Sequence, residues 1–189
     1  SMSTPSTCER PSAERAAAGR RTRTATQAQA LPSGPAASRQ IIVSNRLPYR
    51  VDVDESGEVS MTRSAGGLAT ALGPLHERSG NLWIGWAEDA GERDAAVAVR
   101  MDAALAERAC MPIHLEEDDA ALYYEGFSNS TLWPLFHGFP QNTHFDQKAW
   151  EAYVRVNERF CDAVVAVARP GDVVWVQDYH LMLLPSLVR

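Results

Sequence analysis

A chain of 189 residues, 45% hydrophobic and 22% charged, has the composition of a folded globular protein and enough length for one sizeable core. Its formal charge of −6 excludes a broad nucleic-acid surface, although local arginines can still bind a phosphate. Three distant cysteines (Cys8, Cys110 and Cys161) argue against a disulfide framework and for a reducing, cytoplasmic setting; no Cys/His spacing suggests a metal site, and no apolar run reaches membrane-spanning length.

Residues 1–40 contain six arginines, two glutamates and many Ala, Ser, Thr and Pro, but almost no large apolar side chain. Such a segment cannot bury enough surface to offset its ordering entropy, so residues 1–39 are expected to form a disordered Arg/Ala-rich tail. Order is expected to begin at "QIIVSNRLPYR", where Ile41–Val43 has the look of a buried strand. "YRVDVDESGEVSMTR" alternates and turns at Asp54–Gly57, which predicts a hairpin. "SAGGLATALGPLHER" reads as a glycine-marked turn into a helix, and "LWIGWAE" as a strand. "AAVAVRM" is a further strand candidate before a helical "DAALAERA" and a strand at "CMPIHL".

"EEDDAALYYEG" predicts a helix that opens on acidic residues and stops at Gly126. Thr131 would cap the next helix, with Pro134 in its first turn. On this reading Tyr124 and Trp133 flank a polar kink and border a cleft, while Tyr123, Phe127 and Phe136 pack more deeply. A long helix follows the N-cap Asp146, from Gln147 to Ala168, with Trp150, Val154, Cys161, Val164, Val165 and Ala168 at near-helical spacing. "VVWVQ" then predicts a buried strand ending at "DYH", and "LMLLPSLVR" the start of a helix. Strands alternating with helices give an α/β class: a Rossmann-like, mainly parallel sheet with an early β-hairpin.

Ligands of open α/β sheets collect at the carboxyl ends of strands, and three polar clusters fall there. Arg46, on the loop of "SNRLP", can pair with a phosphate or with a surface carboxylate. Gly66 and Gly67 allow close backbone approach before a helix whose free N–H groups suit an anion, although paired glycines also mark plain turns. Asp178 and His180 stand at the end of the last strand, where a carboxylate can accept from a sugar hydroxyl or cap the next helix. A tyrosine hydroxyl and an indole at Tyr124 and Trp133 suit an amphipathic ring, but such aromatics are more commonly core.

The strings "IIVSNRLP", "SAGGLATAL", "WIGW", "YYEGFSNSTLWPLFH", "AYVRVNERF" and "VVWVQDYHLMLLP" together resemble the trehalose-6-phosphate synthases, in order and spacing, from about Ile41 to the last residue. The resemblance implies a GT-B fold, of which residues 40–189 would be the acceptor-side, amino-terminal domain, incomplete and without the donor domain. It implies transfer of glucose from UDP-glucose to glucose 6-phosphate with retention, giving trehalose 6-phosphate and UDP. Arg46 would bind the acceptor phosphate, Tyr124 and Trp133 would line the sugar pocket, and Asp178 would serve as catalytic and sugar-binding carboxylate. Gly66 and Gly67 would approach the donor, and His180 would have a supporting role. The resemblance calls for no cofactor, metal, nucleic acid or membrane partner and leaves homo-oligomerisation open. It also includes relatives with other acceptors, such as glucosylglycerol-phosphate synthases and pseudo-glycosyltransferases, and non-catalytic regulatory subunits.

Overall fold

A computed structural model describes residues 38–54, 58–87 and 94–189. Residues 1–37 and the predicted hairpin tip therefore lie outside the described residues. Four parallel strands form the sheet: β1 (Gln40–Arg46), β4 (Leu82–Trp86), β5 (Cys110–Ile113) and β6 (Val173–Val176), in the order β5-β4-β1-β6. The predicted hairpin is a separate antiparallel pair, β2 (Tyr49–Val53) and β3 (Val59–Arg63).

Both faces of the sheet are covered, which is why β1 reads as a continuous apolar run. Successive side chains point to opposite faces. Ile41 and Val43 join Ile84, Tyr123, Phe127, Tyr153, Phe160 and Leu181 in one core. Ile42 joins Trp83, Leu47, Val51, Met101 and Leu105 in a second, under the hairpin and α2 (Ala95–Glu107). Arg39, assigned to the tail by its composition, is tied to the sheet. Its guanidinium makes a two-point pair with Asp172 and also donates to Val167 O at 2.8 Å.

The structure corrects several sequence expectations. "AAVAVRM" is the first half of α2, not a strand: Asp94 caps it by accepting from Ala96 N, and Met101 and Leu105 bury its inner face. β6 is an edge strand, not a buried one; Val173 is 50% and Trp175 41% exposed. α5 (Gln147–Val167) begins at Asp146 as predicted, with Asp146 accepting from Ala149 N at 2.8 Å. Its buried face is, however, Ala149, Ala152, Tyr153, Val156, Asn157, Phe160, Ala163 and Val164, while Val165 and Ala168 are exposed. Small alanines and hydrogen-bonded Tyr and Asn, which an apolar count underrates, let this helix pack closely.

The largest difference lies in the aromatic segment. Gly126 does not stop a helix and Thr131 does not start one. α3 (Glu117–Ala121), a π-helical segment (Leu122–Leu132) and α4 (Trp133–Phe136) run on without a break. Gly126 is needed for packing instead: a Cβ there would sit 3.0 Å from Ala149 Cβ of α5. Pro134 cannot donate to the carbonyl four residues earlier, and that carbonyl, Ser130 O, accepts from His144 N at 2.9 Å. Thr131 Oγ1 donates to His144 O, which fastens the same loop to the helix.

Candidate functional site

The site forms where β1 and β6 end and the π-helical segment crosses them. Each residue of "SNR" is placed by a different contact. Ser44 donates to Arg46 O at 2.7 Å and accepts from the buried Trp83 indole at 2.8 Å. Asn45 Oδ1 accepts from the Tyr123 hydroxyl at 2.8 Å. Arg46 donates to the Tyr124 hydroxyl at 3.1 Å, with its guanidinium carbon 5.0 Å from the centre of that ring. Consecutive tyrosines of one helical segment thus hold consecutive residues of one strand end.

Gly85 explains how β1 and β4 close up here. A Cβ at this position would lie 2.8 Å from Arg46 C and from Leu47 N. Only glycine allows that approach, since real Cβ contacts are longer. Trp86, the next residue, tilts toward Tyr124 at 6.1 Å.

Asp178 follows β6 with φ 73° and ψ 166°. A non-glycine residue in that region is strained, and such strain clusters at functional sites. The surroundings hold it there. Asp178 Oδ1 accepts from Tyr179 N at 2.7 Å, so the residue caps the short 3₁₀ turn Tyr179–Leu181. α5 pins the same turn from below. The Tyr153 hydroxyl donates to Tyr179 O at 2.7 Å and accepts from Met182 N at 3.1 Å, while Asn157 donates to His180 O at 3.2 Å. Asp178 Oδ2 faces His180 Nδ1 at 3.6 Å, an ion-pair separation longer than a hydrogen bond. The adjacent His180 holds the Asp178 carboxyl below its ordinary range; partial burial opposes this, and the Tyr179 amide and the charge of His137 add to it.

The structure therefore brings Arg46, Tyr124, Asp178 and His180 together. Tyr124 stacks on His180 at 5.5 Å and His180 on Tyr179 at 4.2 Å. Trp133 is 43% exposed and stacks on His137 at 4.3 Å and on Phe139 at 6.4 Å, not on a ring of this cluster. Tyr123 and Phe127 are buried as expected, but Phe136 is not: it is 54% exposed and tilts toward Tyr179. The unbroken helix carries Phe136 outward. Gly66 and Gly67 lead into α1 (Gly67–Ser79), with open space where their Cβ atoms would be. Ser64 ties this entry to the Arg46 loop by donating from N to Pro48 O (2.9 Å) and from Oγ to Leu47 O (3.0 Å). A cleft of about 320 Å³ beneath the hairpin is bordered by Arg46, Arg50, Arg63, Tyr49 and Trp86.

Sequence reasoning missed Ser44, Asn45, Trp83, Gly85, Tyr153 and Asn157, and gave Tyr123 a packing role without its hydroxyl bond to Asn45; all of these hold the named residues. For Ser44, Asn45 and Tyr123 the signal was adjacency, since "SNR" and "YY" carry holder and held side by side; "WIGW" and "AYVRVN" carry holders whose partners are distant in sequence.

The chain is similar in sequence and fold to known proteins. The family model for glycosyltransferase family 20 covers residues 38–189. An alpha,alpha-trehalose-phosphate synthase (UDP-forming) of Yarrowia lipolytica is 43% identical over 150 residues, 79% of this chain and 32% of that protein. A bifunctional trehalose-6-phosphate synthase/phosphatase of Thermoproteus tenax is 45% identical over 160 residues, 80% of this chain and 21% of that protein. A crystal structure of the Burkholderia xenovorans synthase in complex with glucose 6-phosphate aligns with a TM-score of 0.59 at 32% identity, over 80% of this chain and 30% of that one. The chain spans about a third or less of the length of these relatives.

Proposed function

The chain belongs to glycosyltransferase family 20, and from that premise we propose that it is the acceptor-side part of a UDP-forming alpha,alpha-trehalose-phosphate synthase. The full enzyme would transfer glucose from UDP-glucose to glucose 6-phosphate with retention, releasing trehalose 6-phosphate and UDP. The observation that carries this reading is the Arg46–Tyr124 pair set beside Asp178 at the carboxyl ends of β1 and β6.

Each residue then has a part. Arg46 and the Tyr124 hydroxyl together receive the acceptor phosphate, as a charge-assisted donor and a neutral one. Asp178 Oδ1 is committed to Tyr179 N, so Oδ2 accepts from an acceptor hydroxyl and serves as the catalytic carboxylate of this half. Trp133, 43% exposed, offers an indole face on which an amphipathic ring can lie. Gly66 and Gly67, at the amino end of α1, approach the donor diphosphate. Catalysis of this type rests on positioning and on stabilising charge as UDP leaves, which guanidinium groups and helix ends can do without a metal or cofactor.

On the same reading residues 40–189 form the acceptor-side domain, and the residues that grip the nucleotide lie outside these 189. The chain alone then binds acceptor without completing transfer, in a cytoplasmic setting. Among the described residues no helix is long and apolar enough to cross a membrane. The acceptor class is tested by titrating the chain with glucose 6-phosphate, glycerol 3-phosphate and glucose. Binding in that order of decreasing affinity is expected; preference for glycerol 3-phosphate would assign a different acceptor.

A further inference from the structure

Among the described residues of the site, His180 has no hydrogen-bond partner at either polar atom of its side chain. It is 6% exposed, and both ring nitrogens are buried. An imidazole is seldom buried so, because each unpaired polar nitrogen keeps its desolvation penalty. Its backbone is fixed by Asn157, and its ring lies between Tyr124 and Tyr179, 10° and 25° from parallel. Tyr123 tilts against it at 6.3 Å. The ring can turn little, and its Nδ1 lies 3.6 Å from Asp178 Oδ2.

We propose that His180 is a positioning residue: its Nδ1–H closes onto Asp178 Oδ2 and aims that oxygen at the acceptor, while its ring sets the plane of Tyr124. This rests on the acceptor-site reading and deepens it. Asp178 Oδ1 is already held by Tyr179 N, so a second tether from His180 fixes both oxygens of a carboxylate on a strained backbone. Through the stack the same ring sets the Tyr124 hydroxyl that receives Arg46. One side chain thereby links the phosphate end of the site to its hydroxyl-binding end.

The groups facing the pair are few. Tyr179 lies on the same turn, Tyr123 and Tyr124 face it from the π-helical segment, Tyr153 from α5, and His137, after α4, acts on Asp178 by its charge. Arg46 reaches the stack through Tyr124.

The test is a carbon-13 NMR titration of the Asp178 carboxyl in the ligand-free chain, for wild type and three variants. His180→Asn places an amide N–H near the position of Nδ1, His180→Gln reaches instead toward Nε2, and His180→Phe keeps only the ring. The Asp178 titration stays low in His180→Asn and moves up toward the ordinary carboxylate value in His180→Gln and His180→Phe. A rise in all three variants, or in none, overturns the proposal. Should His180→Phe fail to fold, the Asn/Gln pair carries the same comparison. Glucose 6-phosphate affinity is expected to fall about tenfold in His180→Gln and much less in His180→Asn; equal losses in both count against the Nδ1 tether. Failure of the wild type to bind glucose 6-phosphate would sink the acceptor reading, yet leave the ligand-free titrations to decide the role of His180.

Discussion

The backbone of Arg46 is held by its neighbours. Ser44 fixes its carbonyl, Tyr123 fixes Asn45 beside it, and Gly85 leaves room for its backbone. Gly85→Ala should therefore push a methyl into Arg46 C and Leu47 N. Overpacking against backbone costs about 1–3 kcal/mol, so the melting temperature should drop and the Arg46 loop should shift. A Gly85→Ala protein that melts like wild type, with an unmoved Arg46 amide resonance, would show that the approach is not tight. Tyr123→Phe makes a finer test. It removes the hydroxyl from Asn45 and leaves a buried acceptor unpaired, at a cost of about 1–3 kcal/mol. Chemical denaturation of Tyr123→Phe measures that loss, and a midpoint equal to wild type would mean that Asn45 finds another donor.

At the scale of elements, α5 is the scaffold of the site. Tyr153 and Asn157 reach from its buried face to the turn that carries Asp178 and His180. The helix in turn depends on its first turn, where Asp146 accepts from Ala149 N. Asp146→Ala should cost about 1 kcal/mol, read as a lower denaturation midpoint; no change would mean that packing alone sets the start of α5. This cap was legible in the sequence because an N-cap is a local signal. So were β1, the hairpin strands and the end of β6, where apolar runs meet turn residues. The unbroken helix through Tyr124 was not. Gly126 and the Ser/Asn/Ser/Thr run look like punctuation, since locally they favour caps and turns. Tertiary contacts reverse that preference: Ala149 needs the space of Gly126, and Ser130 Oγ donates back to Glu125 O at 2.6 Å inside the wide turn. The α2 error has the same origin, because β-branched Val97 and Val99 weigh toward a strand until Asp94 and the buried Met101 and Leu105 are seen.

At the scale of the whole described body, strand order decides where chemistry can collect. β1 sits between β4 and β6, so its carboxyl end is flanked by Gly85 and Trp86 on one side and by Asp178 on the other. The sequence placed Arg46 and Asp178 at strand ends but could not show that the strands are neighbours, which is information held in the register. The Arg39–Asp172 clamp closes the opposite end of the same strand pair. Asp172 is held below its ordinary value first by the Arg39 hydrogen bonds, with burial opposing and the Arg169 backbone N–H assisting. A depressed folded pKa means that the stabilisation is present above the ordinary carboxylate value and is lost as pH falls through the folded one. Asp172→Asn should thus melt lower than wild type near neutrality, with the gap narrowing in acid below about pH 4. A gap that stays constant into acid would show that the clamp is not electrostatic.

On the proposed function, β1, β6 and the π-helical segment build one phosphate-and-sugar site around Arg46. Isothermal titration of glucose 6-phosphate into wild type and Arg46→Ala tests it most directly. Loss of a charge-assisted pair is worth about 1.5–3 kcal/mol, or roughly 10- to 100-fold in affinity. A loss of that size is expected in Arg46→Ala, with the affinity for unphosphorylated glucose unchanged. Equal binding of glucose 6-phosphate by the two proteins would contradict it.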